Sequence, residues 1–185
     1  GGRLLAGDTN DTTVTVSGNA PNQSWSVNPA GFAKGIFAEG SSVFQFSQLR
    51  ISGCRSSGIE STAGPANVRE VLVTQNGLSG ISVNLLGVAG NVSSCTAFQN
   101  GDAGIDIRGG TIANCSAIQN GGFGITSSPG SIVNSSGASN NLDGLNAFNG
   151  SISNCTAFGN EASDRSQIST SRARADARSV RTGSR

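Results

Sequence analysis

The chain has no histidine, no methionine and no tyrosine, one tryptophan, and only 12% charged residues in a length of 185. Without histidine it lacks the commonest general base and the commonest metal ligand. Its four cysteines form no C-x-x-C pair, so no metal site is expected. No run approaches the roughly 18 apolar residues of a membrane-spanning helix, and no transmembrane segment is expected. The charges are few and unevenly placed. Residues 1–160 carry six basic groups against eight acidic ones, whereas residues 161–185 carry six arginines against three acids. That basic end has no aromatic interleaving and no motif, so no nucleic-acid partner is expected. The missing initiator methionine suggests a processed or truncated chain, with any signal peptide already removed.

What the chain does have is glycine, 27 of them, and a sentence repeated almost four times. Residues 90–160 read GNVSSCTAFQNGDAGIDIRG, GTIANCSAIQNGGFGITSSP, GSIVNSSGASNNLDGLNAFN and the partial copy GSISNCTAFGN, with a period of 20. Gly90, Gly110, Gly130 and Gly150 open the copies, and Val92, Ile112, Ile132 and Ile152 follow two residues later. Cys95, Cys115, Ser135 and Cys155 come next, then Asn100, Asn120, Asn140 and Asn160. Gly104-Ile105, Gly124-Ile125 and Gly144-Leu145 complete the frame. A fixed period of this size marks a solenoid, in which each coil contacts only its neighbours. Looser copies extend back to Gly35, with Gly-Ile steps at Gly35, Gly58 and Gly80 and with Asn76 in the place of Asn100.

Alternation within a copy predicts which side chains face the core. In Gly104-Ile105-Asp106-Ile107-Arg108 the isoleucines point in while Asp106 and Arg108 point out; in Cys95-Thr96-Ala97-Phe98, Cys95 and Ala97 point in. Coils stacked about 4.8 Å apart then line up equivalent residues in columns. Residues 1–34 do not fit the frame and are expected to form an N-terminal cap and entry strand, with alternation at Thr12, Thr13, Val14, Thr15 and Val16 and with Trp25 lying over the core end. Residues 35–160 form the repeats, with surface insertions such as Leu85-Leu86-Gly87. Residues 161–185 read as a disordered Arg/Ser-rich tail that breaks off the last copy.

Two solenoids compete. The spacing Val92-x-x-Cys95-x-Ala97-x-x-Asn100 fits the leucine-rich-repeat skeleton, but Val, Cys and Ala stand where leucines belong. The second half of each copy is dense in glycine, which costs roughly 1 kcal/mol per residue inside a helix. All-strand coils fit better. The repeated N-C-T/S-A-x-x-N-x-x-x-G-I pattern resembles the right-handed parallel β-helix proteins of the pectin-lyase-like superfamily, over about residues 35–160. The resemblance implies an all-β, single-stranded right-handed parallel β-helix with coils of ~20–24 residues. It alone supplies the handedness. It also implies an extracellular or cell-surface location, in a bacterium. Among the activities it covers are polysaccharide lyases, hydrolases and epimerases, together with tailspikes and adhesins.

Each polar column has a structural and a functional reading. Asn76, Asn100, Asn120, Asn140 and Asn160 form a structural ladder: asparagine tolerates left-handed backbone angles at turns, and stacked carboxamides hydrogen-bond between coils. Cys95, Cys115 and Cys155 share an inward column with Ser135, so a small buried residue suffices there; reduced thiols are expected, with Cys95–Cys115 the one plausible bridge. For catalysis the best cluster is Asp102, Asp106 and Arg108, with Glu60 nearby in the outward column Glu60, Ser82, Asp106, Thr126, Asn146 and with Asp143 in the equivalent turn. The resemblance implies Ca²⁺ only for a lyase, and otherwise no cofactor. For binding, the hydroxyl column Thr96, Ser116, Ser136, Thr156 runs beside the apolar stripe Phe98, Ile118, Ala138, Phe158. The preferred function is a structural or binding module for polysaccharide or protein. The alternatives are a polysaccharide-active enzyme or inactive relative, and a fragment of an adhesin or spike.

Overall fold

The computed structural model describes residues 34–38, 43–62, 64–84 and 90–162, together with the backbone of three further strands, Thr13–Ser17, Trp25–Val27 and Gln167–Ser169. All the described strands are parallel and fall into three seven-stranded sheets. The first sheet holds Thr13–Ser17, Val43–Ser47, Ala66–Arg69, Gly90–Ser93, Gly110–Ala113, Ser131–Val133 and Ser151–Ser153. The second holds Trp25–Val27, Leu49–Ser52, Leu72–Thr74, Thr96–Phe98, Ser116–Ile118, Ser136–Ala138 and Thr156–Phe158. The third runs from Ile36–Ala38 through Ile59–Ser61, Ile81–Val83, Ile105–Ile107, Ile125–Ser127 and Leu145–Phe148 to Gln167–Ser169. Each coil contributes one strand to each sheet, which defines a parallel β-helix.

Registers follow the repeat. Val92 sits opposite Ile112, Ile112 opposite Ile132, and Ile132 opposite Ile152. These residues, with Ile105, Ile107, Ile125 and Leu145, are buried in one continuous aliphatic core. Burial alternates along the strands: Ile105 and Ile107 are buried, while Asp106 is half-buried and Arg108 exposed. The Gly-Ile step has a steric cause. A Cβ on Gly104 would lie 2.6 Å from the Gly124 carbonyl oxygen and 2.8 Å from Asn120 Nδ2, so only glycine lets the coils approach this closely.

The asparagine column is an unbroken ladder. The Asn100 carboxamide accepts at Oδ1 from the Asn76 N–H (3.2 Å) and Nδ2 (2.8 Å), and donates from Nδ2 to Asn120 Oδ1 (3.0 Å) and the Val73 carbonyl (3.3 Å). Asn120 repeats the pattern toward Asn140, and Asn140 toward Asn160. Each carboxamide from Asn100 to Asn140 thus uses both donors and both acceptor sites, which makes its burial tolerable.

Three features differ from the sequence reading. The left-handed backbone falls one residue before the ladder, at Gln75 (φ 55°), Gln99 (φ 54°), Gln119 (φ 54°) and Ser139 (φ 53°), because the asparagines themselves must turn inward. A second left-handed bend per coil falls at Glu70, Ser94, Asn114, Asn134 and Asn154, between the first two sheets. Cys54 heads the asparagine column, where its N–H donates to Asn76 Oδ1 at 3.1 Å, and burial pushes its thiol up to about 11. All four cysteines are free. Finally, within residues 161–185, expected as a disordered tail, Gln167–Ser169 pairs with Leu145–Phe148 and supplies the third-sheet strand that the last copy lacks in sequence. In the last coil Ile152 is still buried, while Cys155 and Ala157 are half-buried. The expected position of the Trp25 side chain, the Leu85-Leu86-Gly87 insertion and most of residues 163–185 lie outside the described residues.

Candidate functional site

Two outward faces carry the residues singled out in sequence. On the third sheet, Glu60, Ser82, Asp106, Thr126 and Asn146 do form one column, in register across the strands Ile59–Ser61 to Leu145–Phe148. Phe37 stands at its head opposite Glu60. Glu60 is already engaged: Lys34 Nζ lies 2.8 Å from its carboxylate and 3.7 Å from the centroid of the Phe37 ring. Asp106 lies one strand beyond Ser82, and no ion pair joins it to Arg108 among the described residues. Asp102 is exposed in the preceding turn, with its N–H on the Leu78 carbonyl at 3.3 Å.

Burial holds the Asp106 carboxyl above the usual carboxylate range; Arg108 opposes that shift and Asp102 adds to it. Asp143, in the equivalent turn two coils on, is also raised by burial. Asp106 therefore feels the charges of both Arg108 and Asp102. Among the described residues no group of three or more His, Cys, Asp or Glu side chains is placed to hold a metal ion.

The raised Asp106 gives a signed expectation. The unfolded chain loses this proton first as pH rises, so the stability carried by Asp106 is complete below the ordinary carboxylate value and falls as pH climbs through the raised folded value. Asp106→Asn should match the wild type in acid and exceed it at neutral pH, read as urea midpoints across a pH series. Equal midpoints at both ends would show that the carboxyl is not desolvated.

The second sheet is the more regular face. Thr96, Ser116, Ser136 and Thr156 align in register, as do Phe98, Ile118, Ala138 and Phe158 beside them. The Ser136 hydroxyl donates to Ser116 Oγ at 3.3 Å. The apolar stripe is graded: Ala138 is buried, Phe98 and Ile118 half-buried, and Phe158 exposed at 56%. A third column, missed in sequence, flanks it at the left-handed bend. Gln75 Nε2 donates to Gln99 Oε1 at 3.4 Å, and Gln99 Nε2 to Gln119 Oε1 at 3.3 Å. Its signal was present as the glutamine preceding Asn76, Asn100 and Asn120.

A stack of three-sheet parallel coils with a buried asparagine ladder defines a β-helix solenoid. Residues 9–167 match the family model described as a right-handed beta helix region, and the chain belongs to that family. The coils are accordingly right-handed. No curated protein and no solved structure matches the chain.

Proposed function

We propose that the chain is an extracellular or surface-exposed binding module for a polysaccharide, with the second sheet as its binding face. One observation carries this reading: hydroxyl and apolar columns run side by side in register across four coils of that face, with Gln99 and Gln119 beside them in two of the four. A polysaccharide is itself a linear repeat of hydroxyls and apolar C–H faces. Its hydroxyls find donors and acceptors in Ser, Thr and Gln, and its C–H faces pack on exposed aromatic rings. A stiff solenoid holds these groups in place before binding, so little ordering cost opposes the contact.

Glycan-array binding of the chain tests the reading. Phe98→Ala and Ser116→Ala should each weaken binding to whichever glycan is retained, and Asp106→Ala should leave it unchanged. Loss of binding in Asp106→Ala alone would move the site to the third sheet. Retention of no glycan would sink the carbohydrate reading.

The outward Asp106, with Arg108 two residues along the chain and a carboxyl that burial shifts upward, supports a second reading, an enzyme acting on polysaccharide, since an upward shift moves a carboxyl toward general-acid work. Release of unsaturated product from polyuronates, with and without Ca²⁺, tests the lyase form. Inactivity on a panel that also scores hydrolysis and epimerisation would exclude it.

A further inference from the structure

The sequence contains four Asn-Gly pairs: Asn76-Gly77, Asn100-Gly101, Asn120-Gly121 and Asn149-Gly150. This dipeptide is the one most prone to spontaneous loss of the side-chain amide, because no side chain on the following residue hinders attack by its nitrogen. The fold divides the four into two kinds. In the first three, the asparagine is a buried ladder residue whose carboxamide is held from coil to coil. The following glycine N–H is also held: Gly77 donates to the Cys54 carbonyl at 2.7 Å, Gly101 to Asn76 at 2.7 Å and Gly121 to Asn100 at 2.8 Å. Neither nucleophile nor electrophile can move.

Asn149 is the opposite case. It is exposed at φ 52°, in the turn between the strands Leu145–Phe148 and Ser151–Ser153. Among the described residues no hydrogen bond holds its carboxamide or the Gly150 N–H. We infer that Asn149 is the deamidation site of the folded protein among these four pairs, and that the ladder protects the other three from the same reaction.

In the reaction the Gly150 nitrogen attacks Asn149 Cγ. The new N–Cγ bond closes a succinimide, the Cγ–Nδ2 bond breaks, and the proton lost by the Gly150 nitrogen leaves with ammonia. Water then opens the ring at either carbonyl, giving aspartate or isoaspartate. Both products add a negative charge beside the exposed Phe148, and isoaspartate lengthens the backbone at the bend that sets the register of Ser151–Ser153.

The test is peptide mapping by mass spectrometry after incubating the chain in mildly alkaline buffer, once folded and once in concentrated urea. In the folded sample Asn149 should convert roughly tenfold or more faster than Asn76, Asn100 or Asn120, since those three react only from opened coils. In urea all four should convert at similar rates. Asn149→Gly, which suits the left-handed backbone, should abolish the folded-state conversion while leaving the urea reaction of the other three intact. Equal rates at ladder and turn asparagines in the folded chain would overturn the inference. So would an unmodified Asn149, or an unchanged mass gain in Asn149→Gly.

Discussion

Replacing Asn120 by alanine should destabilise the protein by about 4 kcal/mol, taking roughly 1 kcal/mol for each of four buried hydrogen bonds. Asn120 Oδ1 accepts from the Asn100 N–H and Nδ2, both at 3.0 Å, and its Nδ2 donates to Asn140 Oδ1 at 3.0 Å and the Ala97 carbonyl at 3.3 Å. The residue is fully buried, so no water replaces it, and two donors of Asn100 are left without partners. The effect spreads to both adjoining coils, because the same atoms tie all three. Equilibrium urea unfolding measures it against Ser131→Ala, an outward first-sheet change expected to stay within about 0.5 kcal/mol. If the two variants unfold together, the ladder fills space without holding the coils.

The neighbouring glycine is constrained by shape instead. A Cβ on Gly121 would lie 2.3 Å from the Gly101 carbonyl oxygen and 2.9 Å from its carbon, both backbone atoms with nowhere to go. Gly121→Ala must therefore separate two coils that the ladder holds together, at a cost of about 3 kcal/mol. Thermal unfolding of the purified variant would reveal it as a lowered midpoint. An unchanged midpoint would mean that the backbones pass farther apart at this turn than the geometry requires.

Much of this architecture was legible because each coil states its register again. Gly104, Gly124 and Gly144 recur where the backbone of the next coil passes, and Asn100, Asn120 and Asn140 recur where a carboxamide faces the core. Alternation alone put Asp106 in one column with Glu60 and Thr126. What escaped the sequence were features set by a neighbour's geometry. The left-handed angle falls on Gln99 and not on Asn100, since the bend must finish before the ladder residue turns inward. Cys54 shares its residue type with Cys95 but stands in the asparagine column, a placement fixed by the pairing of Ile51 with Val73. Gln167–Ser169 carries no glycine step, yet it pairs with Leu145–Phe148, the open edge of the third sheet. The candidate sites were less legible for a single reason: outward hydroxyls at Thr96, Ser116, Ser136 and Thr156 recur with the repeat itself, so residues that could bind do not stand out from residues that build.

Every rung of the asparagine ladder points the same way. From Asn76 to Asn140 each Nδ2 gives one hydrogen to the Oδ1 of the next rung toward the C-terminal end. The amide dipoles therefore add head to tail, and each bond polarises the next, strengthening it by roughly 10–30%. The ladder is thus directional along the solenoid axis, its N–H ends facing the C-terminal side. Each added coil lengthens that dipole, so the ladder grips harder per rung in a long solenoid than in a short one.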